Sequence, residues 1–250
     1  MSDAIETAER FTGLAEAYDR YRPRYPSAAI AAVLADLPVP ADVVDVGAGT
    51  GISTRALVDA GARTIAIEPN AEMRAVALAH GLDAREGSAD RTRLPDASAD
   101  VVAVFQAFHW FTNAAAIAEF ARLMRPGGRL ALVWNERDTR GDPFTAKVRE
   151  IERRYAEDGK LAGGDFYDDA LATLLGEGGF PRVRRLQFGN DQRLDRDGLR
   201  GRIFSTTYMS RTGSRLHDIV AALDELYDRY ADRSGHVTLV YRTDVIIGER

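Results

Sequence analysis

Short apolar runs alternate with stretches of helical period along the first 135 residues. Val43-Val44-Asp45-Val46 suits a strand buried on both faces, and glycines close it. Thr50 to Ala60 reads as a helix ended by Gly61. Thr64-Ile65-Ala66-Ile67 is a second strand, after which Asn70 is placed to N-cap a helix running to His80 and stopping at Gly81. A weaker third strand lies near Asp83–Glu86, and a fourth spans Asp100 to Phe105. Ala114 to Met124 is a helix, Pro126-Gly127-Gly128 a turn, and Arg129 to Trp134 a fifth strand. Strands alternating with helices across short loops predict a parallel sheet with helices on both faces and right-handed crossovers.

After residue 136 the pattern changes. Phe144, Val148, Ile151 and Tyr155 recur at helical spacing, and Asp168 to Leu175 reads as another helix before the Gly176–Gly179 break. Val183 to Phe188 and Val237 to Ile247 read as strands, with helical stretches Asp197–Met209 and Leu216–Tyr230 between them. An antiparallel hairpin on the sheet edge, with helices inserted into it, fits this order. No linker or repeat divides the chain. It reads as one domain, 1–250, with an N-terminal helical cap segment (1–40), a core (41–135), and a helical cover with the sheet edge (136–235).

Composition removes several chemistries. The 250 residues are 45% apolar, enough for a core, and carry a formal charge of -5. With no cysteine there are no disulfides, cysteine-held metals or cysteine nucleophiles. The acidic balance weighs against nucleic acid as a partner. The basic residues are 31 Arg and only Lys147 and Lys160, which reads as GC-rich coding. Arg182, Arg184 and Arg185 read as a solvated strand face. Met1 to Arg10 holds three acids and no apolar core, unlike a signal peptide, and no run approaches the ~20 apolar residues of a membrane span. The expectation is a soluble cytoplasmic protein without membrane contact, monomer or homodimer.

The strongest chemical feature is Asp45-Val46-Gly47-Ala48-Gly49-Thr50-Gly51, between the first strand and the next helix. Glycines there permit positive φ and close approach of backbone to a ligand. Glu68 ends the second strand, where an acid can accept hydrogen bonds from both hydroxyls of a ribose. A dinucleotide loop, G-x-G-x-x-G, needs glycine at 52, where this chain has Ile52. The tighter G-x-G-x-G suits a ligand without phosphate. A nicotinamide-dependent oxidoreductase remains the alternative, as does a protein that binds the cofactor without catalysis.

With Ile67-Glu68-Pro69-Asn70-Ala71-Glu72-Met73, Leu94-Pro95-Asp96 and Leu123-Met124-Arg125-Pro126-Gly127-Gly128-Arg129, that loop resembles the class I S-adenosylmethionine-dependent methyltransferases over about residues 10–135. Tyr18 to Pro26 and Gln106-Ala107-Phe108-His109-Trp110-Phe111 are similar to a small-molecule subgroup. That subgroup includes trans-aconitate methyltransferase-like proteins and natural-product tailoring enzymes. The resemblance implies a Rossmann-like, doubly wound α/β fold with a seven-stranded sheet in order 3-2-1-4-5-7-6, the last strand antiparallel, under a helical substrate cover. It implies methyl transfer from S-adenosylmethionine to oxygen or nitrogen of a small acceptor, leaving S-adenosylhomocysteine, in secondary metabolism.

The resemblance also implies roles. Gly47, Gly49 and Gly51 line the cofactor, Glu68 binds its ribose, and Pro69 and Met73 flank its adenine. The Ala89 backbone and the Asp90 carboxylate meet the adenine edge. Tyr18 and Arg22 reach its carboxylate, for which a guanidinium fork is well matched. Gln106 bonds the cofactor carboxylate or the acceptor.

Transfer from a sulfonium needs an aligned nucleophile and exclusion of water more than it needs a base. His109, with an ordinary pKa near 6.5, is the candidate base or acceptor ligand. Phe108, Trp110 and Phe111 offer an aromatic wall tolerant of a sulfonium. Tyr21, Trp134 and Tyr208 are the further candidates for the acceptor pocket, chosen from aromatics that include Tyr25, Phe166, Tyr167 and Phe204. His80 reads as a helix cap, and no metal site is expected.

Overall fold

In the computed structural model, residues 11–111, 113–156 and 179–249 are described. The expected helix Asp168–Leu175, with Phe166 and Tyr167, lies outside them. Five strands, β1 (Asp42–Val46), β2 (Arg63–Ile67), β3 (Asp83–Arg85), β4 (Ala99–Phe105) and β5 (Met124–Arg137), run parallel. β6 (Arg182–Leu194) and β7 (Val237–Glu249) close the edge, and β7 is antiparallel to both neighbours. The order is 3-2-1-4-5-7-6, as expected.

Side-chain parity builds both faces of this sheet. Val43, Val101, Ala103, Ala131, Val133, Val245 and Ile247 face one way, onto α2 (Ser27–Leu34) and Leu57 of α3 (Ile52–Asp59). Val44, Val102, Val104, Leu130, Leu132, Trp134 and Ile246 face the other, onto Ile117, Phe120 and Leu123 of α5 (Ala114–Leu123). Because both faces are covered, these strands are nearly continuous in apolar residues, which is why they were readable.

Caps fix where the helices start. Asn70 accepts from the Met73 N–H at the head of α4 (Ala71–Ala79), Asn113 from Ala116 at α5, and Asp142 from Thr145 at α6 (Pro143–Tyr155). The Pro-Gly-Gly turn is a bulge within β5, between the pairs Ala99–Met124 and Val101–Arg129, with Gly127 at φ 78°.

The edge hairpin is longer than its apolar pattern suggests, thirteen residues in each strand. From its last pair with β5, Arg137–Tyr241, onward, the hairpin carries a second core. Leu239 and Tyr241 of β7 pack there with Phe144 and Val148 of α6, Leu199 and Ile203 of α7 (Arg196–Phe204), and Ile219 and Leu223 of α8 (Gly213–Tyr230). The cover thus shares strands with the sheet, and α7 and α8 are inserted between β6 and β7. The N-terminal helix α1 (Ala15–Tyr21) lies against α7 and α4. No described helix is long and apolar enough to cross a membrane.

Candidate active site

The carboxyl ends of β1 to β4 converge on a cavity of about 430 Å³. Open parallel sheets place ligands at this edge, where the strand order reverses between β1 and β4. After β1 come Gly47 and Gly49, after β2 Glu68 and Pro69, after β3 Gly87 to Asp90, and after β4 Gln106 to Phe111; all of these except Phe108 line the cavity. Tyr18 and Phe11 close it from the N-terminal side, and Met73 and Asn113 add further wall. Of the expected cofactor residues, Tyr18, Gly47, Gly49, Glu68, Pro69, Met73, Ala89, Asp90 and Gln106 are brought together here, with His109, Trp110 and Phe111.

The three loop glycines all have positive φ, but they do different work. A Cβ on Gly47 would stand 2.8 Å from Ala107 Cβ, so this glycine lets the β1 and β4 loops touch. A Cβ on Gly49 would meet only Met73 Cε, at 4.0 Å, so its bare backbone is a cradle open to a ligand. Gly51 is not on the cavity wall. It is the left-handed N-cap of α3, and a Cβ there would lie 2.3 Å from Leu82 Cδ1.

Glu68 is buried, with Oε2 accepting from the Gly49 N–H and Oε1 from the Asn70 N–H, each at 2.8 Å. Burial raises its pKa against those two bonds. Asp45, fully buried behind the loop, takes the Ser53 and Thr54 hydroxyls on Oδ2 at 2.7 and 2.6 Å. Burial lifts its pKa to about 6, and its Oδ1 has no partner. The Asp90 carboxylate receives the Ser88 hydroxyl at 2.5 Å.

Gln106 sits at φ 58°, unusual for a residue other than glycine. Its N–H is tied to Val133 O at 2.8 Å and its side-chain amide donates to Asn135 O at 3.1 Å. Burial pushes the His109 pKa down to about 4, so its ring is neutral at physiological pH rather than half-titrated near 6.5. The His109 and Trp110 rings lie 4.6 Å apart, and Phe11 meets Trp110 edge-on at 6.3 Å.

Three expected acceptor residues line neither this cavity nor the smaller one beside it. Trp134 is 1% exposed; sharing parity with Leu130 and Leu132, it packs with Phe108 under the β4 loop. The Tyr21 ring lies flush on α7, where a Cβ on Gly201 would stand 2.5 Å from it. Tyr208 belongs to the cover core and donates to Glu152 Oε1 at 3.3 Å.

The smaller cavity, about 70 Å³, adjoins the large one at Tyr18, Gly47, Gly49, Phe105 and Gln106. Arg22 borders it, together with Asn135 and Arg202, which the sequence reading did not select. The residues present fit S-adenosylmethionine: an open glycine cradle, a buried acid beside it, and buried arginine N–H groups without partners. Among the described residues no cluster suited to a metal ion occurs.

Glycine loop, acid after β2 and strand order together define a class I methyltransferase fold. A methyltransferase-domain family model matches residues 44–132. An uncharacterized methyltransferase of Mycobacterium bovis is 45% identical over 148 residues, 57% of either chain, so the match spans little more than half of that relative. An uncharacterized methyltransferase-like protein of Schizosaccharomyces pombe is 33% identical over 193 residues, 75% of this chain and 73% of its own. In structure, the YcgJ protein of Bacillus subtilis is similar with a TM-score of 0.56 at 18% identity, over 90% of this chain and 99% of its own. The chain belongs to the S-adenosylmethionine-dependent methyltransferases of class I.

Proposed function

We propose that the chain transfers a methyl group from S-adenosylmethionine to an oxygen or nitrogen of a small-molecule acceptor in secondary metabolism. The observation that carries this reading is Glu68, held by the Gly49 and Asn70 N–H groups at the side of an aromatic-walled cavity. Its free lone pairs accept the ribose hydroxyls, and Pro69, Met73, Ala89 and Asp90 take the adenine. When bound, the cofactor supplies the electrophilic methyl carbon. The protein holds the acceptor in line and keeps water out, with Trp110, Phe111 and Phe11 as the apolar wall. His109, neutral above about pH 4, is able to accept a hydrogen bond or proton from the acceptor.

The test is incubation with S-adenosylmethionine and a panel of small phenols, acids and amines, following S-adenosylhomocysteine by mass. Acceptor-dependent product supports the reading. Binding of NAD without binding of S-adenosylhomocysteine refutes it, and cofactor binding without turnover on any acceptor favours a non-catalytic binder.

A further inference from the structure

The small cavity is bordered by two guanidinium groups that no carboxylate pairs with among the described residues. Arg22 stacks over the Tyr18 ring at 4.7 Å and donates from Nη2 to Ser205 O at 3.1 Å, while its buried Nε has no partner. Arg202, on α7, is 5% exposed. Its Nε donates to the Tyr241 hydroxyl at 2.9 Å, and its buried Nη1 has no partner.

The acid nearest in effect, Glu152, is already engaged by Arg137, by Arg149 at 3.3 Å and by the Tyr208 hydroxyl. Burial and the charges of Arg22 and Arg137 lower the Arg202 pKa, despite Tyr241 and Glu152. A buried cation without a counter-ion is costly. Yet the fold brings the two arginines together: α1, which ends one residue before Arg22, lies flush on α7 at Gly201, one residue before Arg202. Gln192 fastens the junction through the Tyr21 carbonyl at 2.8 Å. The space left, about 70 Å³, suits one small charged group.

We propose that Arg202, through its unpartnered Nη1 at the small cavity, joins Arg22 as the second half of a carboxylate anchor, so that the cover contributes a ligand-binding residue beside the glycine loop. Resting on the methyltransferase reading, the carboxylate is the amino-acid end of the cofactor or an acid group of the acceptor, with the same chemistry in either case.

Calorimetric titration of the full chain separates these sources. The probes are S-adenosylhomocysteine, its decarboxylated analogue, and succinate added to the S-adenosylhomocysteine complex. The variants are Arg202→Met, near-isosteric without charge, and Arg202→Lys, which keeps the charge. If the anchor takes the cofactor, the wild type prefers the carboxylate form by about 10- to 100-fold. Arg202→Met then lowers that preference to what Arg22 alone supplies, and Arg202→Lys lowers it less. If the anchor takes the acceptor, both adenosyl compounds bind alike and succinate binds only when Arg202 is present.

An anchor kept for a ligand also requires that ligand-free Arg202→Met melt no lower than the wild type. A lower melting temperature marks the arginine as structural and overturns the proposal. So does a stable Arg202→Met that matches the wild type in every titration. Failure of the wild type to bind either adenosyl compound refutes the methyltransferase reading instead. Succinate titration of the free protein then decides the anchor by itself.

Discussion

Replacing Glu68 by Gln tests the centre of the site. A carboxylate offers about four lone-pair positions. In the ligand-free protein two are taken, by the Gly49 and Asn70 N–H groups, which leaves two for a ribose diol. Hydrogen bonds to a charged group contribute about 1.5–3 kcal/mol each. The pair therefore amounts to about 3–6 kcal/mol, or roughly a 100- to 10,000-fold affinity loss if both vanish. Gln keeps the volume but turns one oxygen into a donor, which must face one of those two N–H groups. The fold should consequently lose about 1–3 kcal/mol as well, from one buried N–H without an acceptor. Calorimetry with S-adenosylhomocysteine and its 2′-deoxy analogue separates the two effects. The wild type should discriminate between them, and Glu68→Gln should bind both weakly and nearly alike. Unchanged affinity, or discrimination that survives in Glu68→Gln, would refute the ribose assignment.

The glycine loop makes a paired prediction. Gly51→Ala sets a Cβ against Leu82 at φ 80°, and should destabilise the fold by about 1–3 kcal/mol in urea unfolding. Gly49→Ala has room for its Cβ in the free protein but is strained at φ 58°, so it should cost about 1 kcal/mol of stability and a larger free energy of S-adenosylhomocysteine binding. Asp45, with its pKa raised by burial to about 6, favours the fold below pH 4 and loses that contribution as pH rises through about 6. Its shift of roughly two units corresponds to about 3 kcal/mol, and Asp45→Asn should remove that slope from urea midpoints taken between pH 4 and 7. His109→Ala should slow turnover with little change in cofactor affinity. Any acidic limb in kcat/KM due to His109 should fall near pH 4; a limb at pH 6.5 that disappears in the variant would contradict its burial.

Legibility followed burial and locality. β1, β4 and β5 were readable because strands covered on both faces are continuous in apolar residues, whereas edge strand β3, with Asp83 and Arg85 exposed, gave only a weak signal; the Asn70 cap is decided within three residues. The residues lining the large cavity follow the ends of those strands, so a local motif located most of them. Trp134 was misplaced although its parity with Leu130 and Leu132 assigns it to the α5 face. Tyr21 lies flush on α7 across 180 residues of sequence, a contact that no local pattern encodes. Arg202 carried no signal at all, since one arginine among 31 is not distinguished by its neighbours.

The β6–β7 pair has a mechanical consequence. Its ladder is unbroken from Arg182–Glu249 to Leu194–Val237, and it passes from the sheet core into the cover core. Bending it would strain hydrogen bonds rooted at both ends, so the pair acts as a beam rather than a hinge. Tyr241, to which Arg202 is bonded, stands on that beam, and the glycine loop stands on the sheet that bears it. The span from Gly49 to Arg202 is therefore held at a fixed length, so a ligand seated as proposed would have its ribose and its carboxylate matched to that length.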